Sequence, residues 1–185
     1  MNFKKLDIKF DIKKLQNATN ELFTKMSWKS YTVKGLCMTQ IPGDPSSADG
    51  DKLRGVFWTK PDSTGQEVQR ENYVDESMYS EFVQDFKNTY FEKVYNTLSE
   101  KYKMGRFRLL LLEPRTSLSW HRDPEPRLHI PIFTNPGAHL VIADGLKHLP
   151  ADGGVWFTDT RNYHTVFNGG EENRIHLVAT FLGEK

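Results

Sequence analysis

A chain of 185 residues is the length of one domain with a substantial core. Its 25 basic and 24 acidic residues, net +1, form no block of like charge, which excludes the basic footprint of a nucleic-acid binder. The lone Cys37 rules out an intrachain disulfide and suits a reducing compartment, and MNFKKLDIKFDIKKL, with lysines and aspartates among its apolar residues, has the character of neither a signal peptide nor a membrane span. The expectation is a single cytoplasmic domain over 1–185, with no membrane and no nucleic-acid partner.

Leu6, Ile8, Phe10 and Ile12 alternate with Asp7, Lys9 and Asp11, the pattern of a half-buried strand. Leu15, Ala18, Leu22, Phe23 and Met26 then give one apolar helix face. A further strand is expected within Trp28 to Thr39, on Tyr31, Val33, Leu36 and Cys37. Ile41 to Asn72, rich in Pro, Gly, Ser and Asp, reads as a loop anchored by Leu53, Val56, Phe57 and Trp58, long enough to serve as a lid. From an N-cap at Asp75, the residues Met78, Phe82, Val83, Phe86, Tyr90, Phe91, Val94, Leu98 and Tyr102 keep helical spacing and predict the longest helix. After Arg106 the texture changes to short apolar runs broken by turn residues: FRLLLLEP, LHIPIF, HLVIADG, GVWFTD, YHTVFN and IHLVATFL. Closely spaced short strands predict a sandwich or barrel, mainly β with flanking helices, in which 1–105 buttresses a core formed by 106–185.

The chemistry gathers in SWHRDPEPRLHIPI. On an extended chain residues i and i+2 face one side, so His121 and Asp123 point together while Arg122 points away. One imidazole and one carboxylate need a third ligand, and His164 in NYHTVFN is the best candidate. Two histidines and a carboxylate make the facial set that holds non-haem Fe(II) with open positions. In the strand that follows, either Arg127 and His129 or Leu128, Ile130 and Ile132 face the interior. If helices cover the outside, the aliphatic set packs there and the polar pair looks inward. Arg174 and His176 likewise share a face opposite Ile175 and Leu177. His139 and His148 lack a carboxylate at i+2 and read as surface or loop histidines. Glu113 and Glu125 adjoin prolines and read as turn residues.

The order HxD, forty residues, His164, then Arg174 ten positions on resembles the iron- and 2-oxoglutarate-dependent dioxygenases. WHRD, RLHIPI, GGVWFTDTRNYHTVFN and NRIHLV resemble their aspartyl/asparaginyl and prolyl hydroxylase branch. The resemblance implies a double-stranded β-helix, the jelly-roll or cupin-like core, with His121, Asp123 and His164 as catalytic metal ligands for Fe(II). It gives Arg174 the distal carboxylate of 2-oxoglutarate, a role suited to a planar two-pronged donor. Arg127 and His129, with His176 lining the pocket, form a further anion-binding group for 2-oxoglutarate or substrate. Asn168 and Trp156 could border the substrate space, with packing the safer reading for the tryptophan. The implied reaction is hydroxylation of an amino acid, free (such as proline) or an Asp, Asn or Pro in a peptide, with oxygen consumed and succinate and carbon dioxide released. A carboxylate-bearing substrate is expected because Arg127, His129 and Arg115 near the cavity would otherwise lack partners in a dry site. The competing readings are a non-catalytic jelly-roll metal-binding protein and a cupin-type oxygenase that does not use 2-oxoglutarate. The first is opposed by Arg174 and by the single cysteine, since structural zinc sites close with four ligands, often cysteines, and are not ringed by cations. The second needs no inward arginine on the last strand.

Overall fold

The computed structural model describes residues 1–25, 33–49 and 58–185. Two antiparallel sheets dominate. The larger has the order β1 (Phe3–Lys9), β12 (Gly154–Thr158), β9 (Arg127–Phe133), β14 (Arg174–Glu184), β7 (Tyr102–Leu112), β2 (Val33–Cys37). The smaller runs β11 (Gly145–Lys147), β10 (Ala138–Ile142), β13 (His164–Asn168), β8 (Thr116–Ser117). From β7 onward the chain crosses repeatedly between them, placing β7, β9, β12 and β14 in the larger sheet and β8, β10, β11 and β13 in the smaller. This is the eight-stranded double-stranded β-helix, with β1 and β2 added at the two edges of the larger sheet.

Alternation decides which face each residue takes. Phe107, Leu109 and Leu111 of β7, Leu128, Ile130 and Ile132 of β9, and Ile175, Leu177 and Ala179 of β14 form one buried apolar cluster. The same cluster holds Leu15 and Leu22 of α1 (Ile12–Lys25) and Phe91, Val94 and Leu98 of α2 (Tyr90–Ser99). The helices therefore cover the outer face, and the polar alternates of these strands turn inward. Between the sheets Leu112 and Trp156 meet Leu140, Ile142, Leu149 and Val166.

The first strand and helix form in the expected order, but the strand ends at Lys9 and Ile12 opens α1; Met26 falls outside the described residues, as do Trp28, Tyr31, Leu53, Val56 and Phe57. The loop expected at Ile41 to Asn72 contains a 3-10 turn, Pro45–Ala48, and a hairpin of β4 (Thr59–Pro61) and β5 (Glu67–Gln69). The long helix from Asp75 is not formed. Asp75 caps only the 3-10 turn Glu76–Met78, accepting from Ser77 N at 3.0 Å. Then come β6 (Glu81–Phe82), paired with β3 (Thr39–Gln40), and a second 3-10 turn, Gln84–Phe86. The break falls at Asn88, whose φ of 60° is left-handed and incompatible with a continuing right-handed helix. Among the described residues the longest helix is α1, with 14 residues.

Candidate active site

His121 and Asp123 lie in irregular chain rather than in the strand expected from their alternation, but the backbone is pinned to β13 and the residues before it. His121 N donates to His164 O at 3.0 Å, and His164 N returns a bond to His121 O at 2.7 Å. Asp123 N donates to Thr160 O at 2.9 Å. The extended spacing therefore survives, and one ligand atom from each of His121, Asp123 and His164 lies within 4.8 Å of the others. Nδ1 of His121 is 2.6 Å from Ser119 O and Nδ1 of His164 is 3.1 Å from Asn162 O. A carbonyl takes only a donor, so both rings carry their proton on Nδ1 and offer Nε2 as the ligand. Burial pushes the His164 imidazole down to about 4 against the attraction of Asp123, leaving it neutral and able to coordinate at neutral pH. Burial alone would raise the Asp123 carboxyl, but Arg127, His164 and His121 hold it below its ordinary value.

The inner face of the larger sheet supplies the cationic wall. Arg127 Nη2 stands 3.3 Å from Asp123 Oδ2 and 3.9 Å from Glu76 Oε1, and its Nη1 is 3.4 Å from Glu125 Oε2. Glu125 thus partners an arginine outside the metal-ligand group. Arg174 is buried with no carboxylate partner among the described residues, and desolvation lowers it to about 9. Its Nη2 is 2.8 Å from His176 Nδ1. A guanidinium only donates, so His176 accepts at Nδ1 and keeps its proton on Nε2. That Nε2 is buried without a hydrogen-bond partner. Burial and Arg174 hold His176 far below its ordinary value, and burial, Arg174 and Arg127 do the same to His129.

The chain matches the family model for aspartyl/asparaginyl β-hydroxylases over residues 71–183. It belongs to that family. The hydroxylase is accordingly a dioxygenase, with Fe(II) as metal and 2-oxoglutarate as cosubstrate, and the His, Asp, His donor set fits a non-haem iron. No curated protein sequence matches it. Among solved structures it is similar to an oxidoreductase of the 2OG-Fe(II) oxygenase family from Burkholderia pseudomallei, at 12% identity over 97% of this chain and 84% of that one, TM-score 0.52. It is similar also to the viral collagen prolyl hydroxylase of Paramecium bursaria Chlorella virus-1 in its 2OG complex, at 12% identity over 98% and 96%, TM-score 0.52. IDO from Bacillus thuringiensis gives 8% identity over 100% and 95%, TM-score 0.52. At these identities the likeness is one of fold.

Other expected residues sort themselves by contact. His139 and His148 are half-buried partners with ring centroids 5.8 Å apart, away from the ligand group. Asn168 donates to Leu112 O and Glu172 O and accepts from Asn135, so it ties strand ends together. Trp156 packs between the sheets. Arg115 does not approach the cavity: it occupies an exposed turn with φ 57° and pairs with Glu171 at 3.1 Å. Glu113 pairs with Lys34 at 2.6 Å.

The structure adds residues that the sequence did not single out. Glu76 is buried and bonds Arg106 through Nε, Nη2 and the backbone N at 2.6 to 2.9 Å. Burial alone would raise its carboxyl, but Arg106, Arg108 and Arg127 bring it down to about 2. A Cβ at Gly105 would stand 2.6 Å from Glu76 O, so only glycine lets this turn lie so close to β7. Outside the cavity, Arg122 bonds Glu67 of β5 at 2.8 Å and lies 4.8 Å over the Trp58 ring. Trp120 and Tyr163 stack beside it at 6.1 Å. Arg122, between His121 and Asp123, thus fastens the β4–β5 hairpin.

Proposed function

We propose that the protein hydroxylates an amino acid, free or within a peptide, with His121, Asp123 and His164 holding Fe(II) and Arg174 taking the distal carboxylate of 2-oxoglutarate. Bound together, the metal and cosubstrate supply the oxidising power to place one oxygen atom of O2 on an unactivated carbon, while 2-oxoglutarate becomes succinate and carbon dioxide. The observation that carries the reading is the pair Arg174 and His176 in the same interior as the ligand group: a buried guanidinium without an acid and a buried Nε2–H without an acceptor. Leaving a buried donor unpaired costs on the order of 1 to 3 kcal/mol, and in this reading the distal carboxylate of 2-oxoglutarate is the acid that Arg174 lacks.

The other residues bind, orient and exclude water. Arg127 keeps Asp123 charged and directed, and with His129 is offered to the inner carboxylate of 2-oxoglutarate. The apolar residues between the sheets, Leu140, Ile142 and Val166 among them, strengthen each charge interaction by keeping water away. The protein's contribution is position and electrostatics, and the oxidation belongs to the cofactor pair. The test is succinate release from 2-oxoglutarate by the iron-loaded protein, with mass analysis of amino acids and peptides for a gain of one oxygen. Absence of 2-oxoglutarate-dependent succinate across the panel, from protein that retains iron, would overturn it.

A further inference from the structure

The cavity accounts for the inward side chains of the ligand segments but not for the outward ones. On extended backbone the neighbours of an inward residue face out. Arg122 lies between His121 and Asp123, while Trp120 and Tyr163 immediately precede His121 and His164. These three meet behind the site. The Trp120 and Tyr163 rings stack within 9° of parallel, and the Arg122 guanidinium lies 5.9 Å over the Tyr163 ring.

One acid joins them. Glu67 of β5 accepts from Arg122 Nε at 2.8 Å, and its hydrogen bond with the Tyr163 hydroxyl raises that hydroxyl above its ordinary value. Hydrogen bonds from Arg122, then Thr59 and Tyr163, lower the Glu67 carboxyl in return. A single carboxylate therefore holds residues that adjoin all three ligands in sequence, two on the segment before β9 and one at the start of β13.

The hairpin that presents Glu67 has a closed frame of its own. Thr59, Lys60 and Pro61 pair with Gln69, Val68 and Glu67, and Asp62 Oδ1 closes the turn by accepting from Thr64 N at 2.8 Å, Thr64 Oγ1 at 2.7 Å and Gln66 N at 3.0 Å. Arg122 also covers the ring of Trp58, just before β4, at 4.8 Å. The ligand segment is less regular: residues 118–126 belong to neither sheet, so a restraint applied at Arg122 acts on the chain between two ligands.

We propose that Glu67 is a positioning residue for the metal: clasping Arg122 and Tyr163 from outside the cavity, it holds the His121 and Asp123 segment against His164, so that docking of the β4–β5 hairpin and retention of the ion strengthen each other. This rests on the ligand assignment under Proposed function and adds a means of controlling when the site keeps its ion. Glu67 touches no reacting atom and acts through its neighbours. With the Arg122 and Glu67 side chains 34% and 28% exposed, the ion pair contributes little to folding. Its effect on the ion is separate, because linkage makes the factor by which a docked hairpin tightens metal binding equal to the factor by which metal tightens docking.

The experiment titrates the full chain with Mn(II), which binds without turnover, and reads the free ion by electron paramagnetic resonance. Glu67→Gln and Arg122→Met remove opposite charges. Simple electrostatics would make the first variant bind the cation more weakly and the second more tightly. The clasp requires both to bind it about tenfold more weakly, the lower end of what supporting residues contribute at metal sites, and the double variant to lose no more than about twofold beyond either single one. Hydrogen exchange of the 59–69 amides supplies the reciprocal readout: Mn(II) should slow it about tenfold in the wild type and leave it nearly unchanged in the variants. Should either variant fail to fold, Tyr163→Phe replaces it and must weaken Mn(II) binding at least about threefold. The inference is overturned if Arg122→Met binds Mn(II) as tightly as the wild type or more so, if Glu67→Gln is unchanged, or if Mn(II) has no effect on exchange in the wild-type hairpin. A wild type that does not bind Mn(II), or a His164→Ala protein that binds it as the wild type does, removes the ligand assignment itself, and the clasp with it.

Discussion

The outer and inner faces of the six-stranded sheet are lined by alternate residues of the same three strands. On β9 the outer set is Leu128, Ile130 and Ile132 and the inner set begins Arg127 and His129; on β14 Ile175 and Leu177 face out while Arg174 and His176 face in. Both sets are buried. The outer one is satisfied by α1 and α2, whereas the inner one contains donors that no group among the described residues completes. Burial on one side is therefore a source of stability and on the other a cost that a ligand must offset. A slip of one residue in register would exchange the two sets, so the helices that cover the aliphatic face also determine that the arginines point at the reaction space.

The comparison breaks most severely at the ligands. His164→Ala should weaken metal binding by more than about 100-fold, the upper effect of disturbing only a supporting residue, and abolish turnover, as metal content and succinate release would show. Next is Glu76→Gln, which removes the carboxylate that Arg106 grips and leaves buried cations uncompensated; a loss of about 3 to 5 kcal/mol in unfolding free energy is expected, measured by denaturant titration. On the other face Leu177→Ala should cost about 2 to 5 kcal/mol while the folded fraction keeps its 2-oxoglutarate affinity. Arg174→Met is expected to raise half-saturating 2-oxoglutarate about tenfold, or ~1.4 kcal/mol, with iron content unchanged. A fall in iron content would show that the two functions of the inner face are not separable.

A further effect is one of pH. His129 and His176 are held far below their ordinary value of 6.5, so as pH falls below 6.5 the unfolded chain takes up protons that the folded chain refuses. The native state should lose stability with falling pH, by up to about 1.4 kcal/mol per unit for each histidine. Glu76, at about 2 against 4.5, adds a loss of the same sign between those values. Melting temperatures from pH 7.5 to 5.5 test the histidine part, and a flat profile would place these rings in water.

That His121 and Asp123 point together, and Arg174 and His176 likewise, could be read from sequence because the signal is local: period-two spacing in each pair. The inward turn of Arg127 and His129 followed from the same alternation once helices covered the aliphatic alternates. Arg106 and Arg108 have that spacing too, but sit beside the run Leu109 to Leu112, which drew attention to packing alone. Glu76 had no local sign, since its partners lie 30 residues away. The aromatic spacing after Asp75 fitted a helix although its residues serve two 3-10 turns, a short strand and α2; periodicity carries no mark of the left-handed Asn88 that divides them. Arg115 failed as a cavity residue because proximity in sequence to β7 says nothing of which end of the strand is open.

The reciprocal hydrogen bonds between His121 and His164 have a consequence for metal choice. Two ligand-bearing backbones are already fastened together by the fold, so an arriving ion need not first overcome the roughly 1 to 2 kcal/mol per residue of ordering a loose loop. That saving is the same for every divalent ion, and nitrogen and carboxylate donors bind cobalt, nickel, copper and zinc more tightly than ferrous iron. Which metal fills it in a cell then depends on supply, and zinc or nickel should act as tight competitors of iron that are slow to leave.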